Sequence, residues 1–497
     1  MPWPWLRRVF GIDLRTLAVF RMALALVLCG DLLERLKNVR VYYTEQGLIP
    51  KAAIDQVFGN SVKWTSLHYH TGDSVWLQSL VVGLGVVVAV ALFCGYRTRL
   101  VTLVSWLLII SLNRRTPSFC TGGDDVMRLL LLWSIFLPLG SRWSLDARRL
   151  RQDEETNASV AANRFFSAGT CAILLQVCFI YVFTAIIKFG GSQWLDGTAL
   201  KTALQFEVHV RPLGVWLSEQ NLTLLKSLTF ATLFVEFSMP FVAFSPYFHA
   251  YARWLAILAM WSLHFGIFVF MTIGIFPFVC MACWVLFIPS ETWDWLRSKK
   301  GEVNLQPVKK TFEQSFVVTV LVSGMLLFVT IYNILGIEQL NNRGIRIPGA
   351  MKKVANVTRL HQKWKMYAPT PGTVDCWFVM PAVLKDGTSV DVFRQQPLTY
   401  EKPDVVSESF PTSRIKKLML AQCRHVNSAV WLWLPKHYAE QWNREHPENP
   451  AVRVQSVYVG ERTHNDEPYL VPYVEYDLRS GEARKLNQTR LIQTIRN

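Results

Sequence analysis

Charge is scarce in this sequence. Asp, Glu, Lys and Arg make up 18% of the 497 residues, against roughly a quarter in an ordinary water-soluble domain. Carboxylates are scarcer than cations, 36 against 52. A wholly water-soluble fold does not account for this, because the apolar residues are concentrated in runs. Leu77 to Phe93 and Phe316 to Ile331 contain no charged residue at all, and runs of that kind are candidates to face lipid. No small-residue cleavage site closes the first apolar stretch, which follows Arg7 and Arg8 and is interrupted by Arg21 and Asp31. It reads as a retained first helix and not as a removed signal peptide. Metal-ligand spacing is also lacking. Of nine cysteines only Cys280 and Cys283 have it, inside an apolar run and without a second pair, so they read as buried membrane cysteines and no metal is expected. Internal repeats and low-complexity tracts are not evident.

The formal charge of +16 sits in short clusters between apolar runs and forms no single basic face, which argues against a nucleic-acid partner and makes the charge a topology signal. Crossing ~30 Å of hydrocarbon takes about 20 helical residues. Spans are expected near 14–34, 75–95, 100–114, 125–140, 165–189, 226–246, 253–273, 274–289 and 315–336, the third, fourth and eighth being short. The expected class is thus an all-α polytopic transmembrane bundle of about nine helices, or eight, over residues 1–336. In a nine-span count Arg7/Arg8, Arg97/Arg99, Arg142/Arg148/Arg149/Arg151 and Arg297/Lys299/Lys300/Lys309/Lys310 fall on one side, which the positive-inside rule makes cytoplasmic. The N-terminus is then cytoplasmic, and everything after 337 lies periplasmic or otherwise outside the cytoplasm, a bacterial inner membrane being the expected setting.

Past Gly336 proline and charge rise and no run is long enough to span. Residues 337–497 are expected to fold in water as a mixed α/β extramembrane domain. Asp386-Gly387 suits a tight turn joining Trp377–Met380 to Val390–Phe393, Val452–Val459 pairs with Tyr469–Tyr476, and Ser413–Cys423 and Ser428–Trp442 carry helical spacing.

Ionisable residues within apolar spans are expensive, so each is a site hypothesis. Lys188 closes the fifth span just before Trp194, where a partly desolvated amine could serve as a base or merely snorkel to the headgroups. Asp124 and Asp125 follow Gly122-Gly123 at the start of the fourth span, with Asn113, Arg114 and Arg115 closing the third on the same expected face. One aspartate can cap the helix; Arg128, one turn on, can pair with either, and substrate binding or proton handling is the alternative. Glu236 and His264 lie near the middle of the sixth and seventh spans and can bond to each other. Arg21 and Asp31 are too far apart to pair along one turn, so their partners lie elsewhere in the bundle.

Several segments resemble one known family. Asp31-Leu-Leu-Glu-Arg35, Tyr43-Thr-Glu-Gln-Gly47 with Pro50, Asn113 through Gly122-Gly-Asp-Asp-Val-Met-Arg-Leu-Leu131, Lys188 through Trp194-Leu-Asp-Gly-Thr198, and Trp364-Lys-Met-Tyr-Ala-Pro369 look like the horizontally transferred transmembrane (HTTM) domain family. That family includes the vitamin K-dependent gamma-glutamyl carboxylase and many bacterial relatives. The resemblance implies a quinol-dependent carboxylase or oxygenase-like enzyme, using a reduced, vitamin K-like quinone and acting at the outer leaflet on an exported or lipid-soluble substrate. Lys188, Asp124 and Asp125 would be catalytic; Asn113, Arg128, Trp194, His264 and Glu236 would bind substrate. The carboxylase carries two adjacent lysines ahead of its tryptophan loop. Here only Lys188 is present, with Phe189 at the position usually assigned as the base, and Asp124 stands near positions where the carboxylase has asparagines and a histidine. The alternative is a non-catalytic maturation or secretion factor that binds an exported protein or peptide through its C-terminal domain, Trp364, Trp377, Trp431 and Trp433 offering aromatic surface. A transporter is less supported, since no inverted repeat is visible.

Overall fold

The computed structural model describes residues 4–58, 65–152, 164–299, 314–372, 374–423, 430–462 and 468–486. With no water to bond exposed amides, an apolar run closes its backbone hydrogen bonds as a helix. The principal helices are α1 Leu14–Lys37, α2 Val75–Cys94, α3 Thr98–Arg115, α4 Gly122–Ser134, α5 Ala168–Lys188, α6 Leu222–Val242, α7 His249–Phe270, α8 Phe276–Val285, α9 Ser290–Lys299 and α10 Phe316–Leu335. Their ends are set by local chemistry. Asp13, Ser74, Ser167, Asn221 and Ser315 each accept a backbone amide of the first turn, satisfying donors that the helix leaves open. Gly95 ends α2 at φ 68°, a left-handed position that favours glycine.

Helices therefore occur at all nine expected spans, but α4 has 13 residues and α8 only 10. Among the described residues six helices are long and apolar enough to cross a membrane, namely α1, α2, α5, α6, α7 and α10, or seven if the α8–α9 pair, bent by 71°, counts as one. Helix α5 is the axis of the bundle. It is 72% buried over its most apolar window, against 22–28% for α2, α6, α7 and α10, and it packs on α4, α6 and α10.

After α10, helix α11 (Gly349–Thr358) leads into an extended strap that returns to the bundle. Arg128 of α4 donates to the His361 carbonyl at 2.8 Å, Thr184 of α5 to the Trp364 carbonyl at 3.3 Å, and Trp194 to the Tyr367 carbonyl at 2.9 Å. Gln362 exchanges hydrogen bonds with Gln176 of α5 at 2.9 and 3.0 Å and accepts from Trp364 and from Asn333 of α10. Irregular backbone among apolar helices is tolerated where protein satisfies it, and here the His361, Trp364 and Tyr367 carbonyls each find such a donor. The strap's approach also explains Gly191: a Cβ there would lie 1.9 Å from the Pro369 carbonyl oxygen. A division of the chain at 336 thus assigns to the C-terminal part a segment that packs among the bundle helices.

The rest of the C-terminal region is one seven-stranded antiparallel sheet with two helices, α12 (Ser413–Cys423) and α13 (Val430–Glu445). Its strands are β1 Val374–Val379, β2 Pro381–Leu384, β3 Ser389–Asp391, β4 Gln396–Pro397, β5 Ala451–Arg462, β6 Tyr469–Asp477 and β7 Ala483–Lys485. The order is β4-β3-β2-β5-β6-β7, with β1 also pairing β5. The expected β5–β6 pairing is present, Val459 facing Leu470 and Val454 facing Tyr476. The Asp386-Gly387 turn is also present, Gly387 having φ 88°, but it joins β2 to β3. Trp377–Met380 does not form that hairpin, because Trp377 to Val379 lie in β1 and pair with Val457 to Val459 of β5. Pro381 follows, with no amide to donate, and marks where the chain passes from β1 to β2.

This region grips the loop between α5 and α6. Lys402 bridges Glu207 and Glu461, Ser407 donates to the Val210 carbonyl, Lys416 donates to the Val208 and Thr272 carbonyls at 3.0 and 2.7 Å, and the Val208 amide donates to Asp375 at 3.1 Å. Asp375 is 2% exposed, and its second carboxylate oxygen is buried without a hydrogen bond. Burial pushes its pKa up to about 7, against the opposing Val208 amide and aided by Glu207. The sign follows from linkage: between the ordinary value of 3.8 and about 7 the folded state holds a proton that the unfolded state has lost, so stability falls as pH rises. We expect Asp375→Asn to gain on the parent across pH 4–7, by at most about 1.4 kcal/mol per pH unit, in parallel thermal-unfolding series. Parallel pH profiles of the two proteins are the result that refutes it.

Candidate functional site

Among the described residues two buried polar clusters lie in the bundle. The first forms where α1, α3, α4 and α12 meet. Asp124 does cap α4, accepting from the Thr121 amide and hydroxyl at 2.7 and 2.9 Å, and it does more. Arg35 donates to Asp124 at 2.6 Å and to Asp31 at 2.8 Å, while Arg414 of α12 donates to Asp124 at 2.9 Å and pairs with Asp31. All four are at least 95% buried, two carboxylates against two guanidinium groups. Burial disfavours the Arg414 cation, yet Asp124 and Asp31 outweigh it and hold the group well above its ordinary pKa. Asn113 accepts from Arg35 at 3.2 Å, and Tyr43 accepts from it at 2.9 Å. Asp125 stands apart from this group. It pairs with Arg128 at 2.9 Å, and Arg128 also reaches the His361 ring at 2.8 Å.

The second cluster lies at the C-terminal end of α5. The Lys188 Nζ is 2.6 Å from Glu236 Oε2 of α6 and 4.0 Å from the centre of the Trp194 ring. Trp194 packs with Ala185, Ala199 and Leu233, and Tyr367 of the strap closes over them; the Tyr367 hydroxyl is buried without a hydrogen-bond partner. Just beyond the ion pair, Phe189 and Phe237 meet edge to face at 5.4 Å and remain 42% and 38% exposed. The cluster is therefore flanked by an apolar outer surface, suited to lipid.

Glu236 and His264 do not bond to each other. Glu236 is taken by Lys188, and His264 accepts from or donates to Tyr181 of α5 at 2.8 Å. Among the described residues no hydrogen bond or ion pair joins Lys188 to Asp124 or Asp125, so Lys188's acidic neighbour is Glu236. Arg21 finds the carbonyls of Leu139, Arg142 and Trp143. Of the four tryptophans, Trp364 and Trp377 are 3% and 1% exposed and present no surface; Trp433 packs partly against the core, and the side chain of Trp431 lies outside the described residues. Arg35 and Arg414 were not singled out from the sequence as partners of Asp124. The Asp31-Arg35 spacing of four residues carries that signal for Arg35, whereas Arg414 is 290 residues from Asp124 and has none.

Residues 11–295, more than half of the chain and including every residue of both clusters except Arg414 and Tyr367, match the HTTM domain. The chain belongs to the HTTM domain family. With six or seven helices able to cross a bilayer, it is an integral membrane protein. No curated protein and no solved structure matches it. The family match ends at 295, so in this HTTM protein the strap and the Arg414 helix are supplied from beyond the shared domain.

Proposed function

We propose that this HTTM protein is a membrane enzyme of the quinol-dependent carboxylase or oxygenase type, with Lys188, Glu236, Trp194 and Tyr367 as its site. The observation that carries the reading is the buried Lys188–Glu236 pair beneath an indole face, beside phenylalanines open to lipid. A reduced, vitamin K-like quinone fits this donor set. Its ring can lie against Trp194, its hydroxyls can meet the Lys188–Glu236 pair and the unpartnered Tyr367 hydroxyl, and its tail can remain outside Phe189 and Phe237. When bound, such a quinol supplies the electrons with which oxygen is reduced.

The protein's own part is proton handling. As ion-paired, Lys188 holds the proton, and it becomes a base only when that proton moves to Glu236 Oε2. Phe189 in the place of a second lysine leaves Glu236 as the nearest proton acceptor. The Asp31–Arg35–Asp124–Arg414 group would act from outside, by fixing α4 against α1 and α12; Asp125, Arg128, Asn113 and His264 would position and not react. The substrate is an exported peptide or a lipid-soluble molecule reached from the leaflet where α5 ends. The full topology in this reading has the N-terminus cytoplasmic and residues 374–486 periplasmic in a bacterial inner membrane.

The test uses the full chain in nanodiscs with menaquinol, oxygen, bicarbonate and a glutamate-containing peptide, following quinol oxidation. Oxidation above the rate of empty nanodiscs, slowed at least about 100-fold in Lys188→Met and in Glu236→Gln, is the range expected when a general acid–base is removed. Equal rates in the parent and both variants end the proposal.

A further inference from the structure

Helix α11 and the turn after it carry two features that neither cluster uses. Along α11, Ala350, Val354 and Val357 recur at spacings of four and three residues, which places them on one face. Val354 is 47% and Val357 82% exposed, and of the whole helix only Ala355 is buried. The opposite arc carries Lys352 and Asn356, and Lys353 sits at the border between the two faces. From Gln339 to Val374 the chain has seven lysines and arginines and no acidic residue.

The helix is also fixed in height. Ile347, just before it, packs beside Gly336 at the end of span α10, and His361, just after it, is held by Arg128 of α4. The end of α10 beside it is apolar and open as well, Ile331 and Ile334 being 41% and 43% exposed. At the helix end Arg359 is only 8% exposed. Among the described residues its guanidinium has no hydrogen bond and no ion pair, and burial together with the neighbouring Arg114 and Arg128 lowers its pKa to about 10. A cation whose stem is buried but whose guanidinium reaches the surface, beside two others and with no anion of its own among the described residues, suits a bound anion.

We propose that α11 lies in the bilayer interface at the leaflet where α10 ends, its valines among the acyl chains, and that Arg359, with Lys352 and Lys353, holds the phosphate of an anionic phospholipid. An amphipathic helix with cations along its polar arc binds such a surface through buried apolar area and charge together. Phosphate also suits guanidinium geometry. Lys365 of this stretch is already paired with Glu338 at 2.6 Å, but a neutral protein surface would offer Lys352, Lys353 and Arg359 no complement, and a second copy of this chain would bring the same cations again.

Nitroxide labels at residues 354, 356 and 357 test this. They are introduced singly into the full chain after replacement of Cys94, the exposed free cysteine among those described, and read in phosphatidylcholine nanodiscs with and without phosphatidylglycerol. Collisions with oxygen should exceed those with a nickel chelate several-fold at 354 and 357, and the reverse should hold at 356. Phosphatidylglycerol should raise the ratio at 357, and Lys352→Gln with Lys353→Gln should abolish that rise. Native mass spectrometry should show one fewer retained phosphatidylglycerol in Arg359→Asn, a residue that tolerates the left-handed backbone at φ 61°. Nickel access at 357 equal to that at 356 puts the helix in water. Low access to both quenchers there puts it against protein. Either result overturns the proposal, as does a ratio and lipid count indifferent to phosphatidylglycerol and to the variants.

Discussion

Arg414→Met should destabilise the protein by about 3–5 kcal/mol, the range for removing one partner from a buried ion pair. The substitution keeps an apolar stem but removes the guanidinium, and leaves Asp31 and Asp124, each at most 2% exposed, facing Arg35 alone. The excess negative charge is in a site that water cannot screen, so the loss should persist from low to high salt. It should also be regional. Arg414 is the link by which α12 reaches α1 and α4, and its removal should expose the segment from 337 to 372 to trypsin before the bundle itself unfolds. Lys385→Met, at an exposed position of the same region, is the control and should do neither. Asp124→Asn in the Arg414→Met background should recover part of the loss, because it restores charge balance. A loss no larger than the control's, or one that disappears in high salt, rules out a stabilising network.

The second large effect concerns Lys188 and Glu236. Either Lys188→Met or Glu236→Leu alone should cost about 3–5 kcal/mol, since each leaves the other charge buried. The double variant should be more stable than either single one, because an apolar pair replaces an ion pair at little net cost. Activity should behave oppositely: all three variants lose quinol oxidation and the double variant recovers none. That divergence separates a chemical role from a structural one. Additive destabilisation in the double variant would mean that the two charges do not interact.

The sequence made the spans legible because lipid allows few alternatives to a helix for twenty apolar residues, and α1, α2, α5, α6, α7 and α10 lie where those runs predict. The short spans were harder to read for the same reason. Residues 125–140 read as a span, but α4 stops at Ser134, and Trp133 at its end donates to Gln176 within the bundle. Cost alone also marked Lys188, Glu236, Asp124 and His264, since a polar group in a span needs a partner. Which partner it has depends on how helices pack, and that is not local: the two mid-span residues Glu236 and His264 looked complementary, yet both turn to α5. The strap's place was not legible, because Trp364–Pro369 stood out only by its resemblance to family members and the surrounding residues carry no apolar run. Only the three-dimensional positions of Arg128, Thr184 and Trp194, which satisfy its carbonyls, and of Gln176 and Asn333, which hold the Gln362 side chain, show that it belongs among the helices.

Arg414 has a consequence for biogenesis. It lies 383 residues after Asp31, with which it pairs. At about 5–20 residues per second, the ribosome delivers the second guanidinium roughly 20–80 seconds after the first helix has emerged. Until then Asp31 and Asp124 share one arginine, and the cleft between α1 and α4 must stay hydrated or be sheltered by the insertion machinery. Nascent chains truncated before residue 414 should therefore linger at the translocon, while slightly longer ones are released.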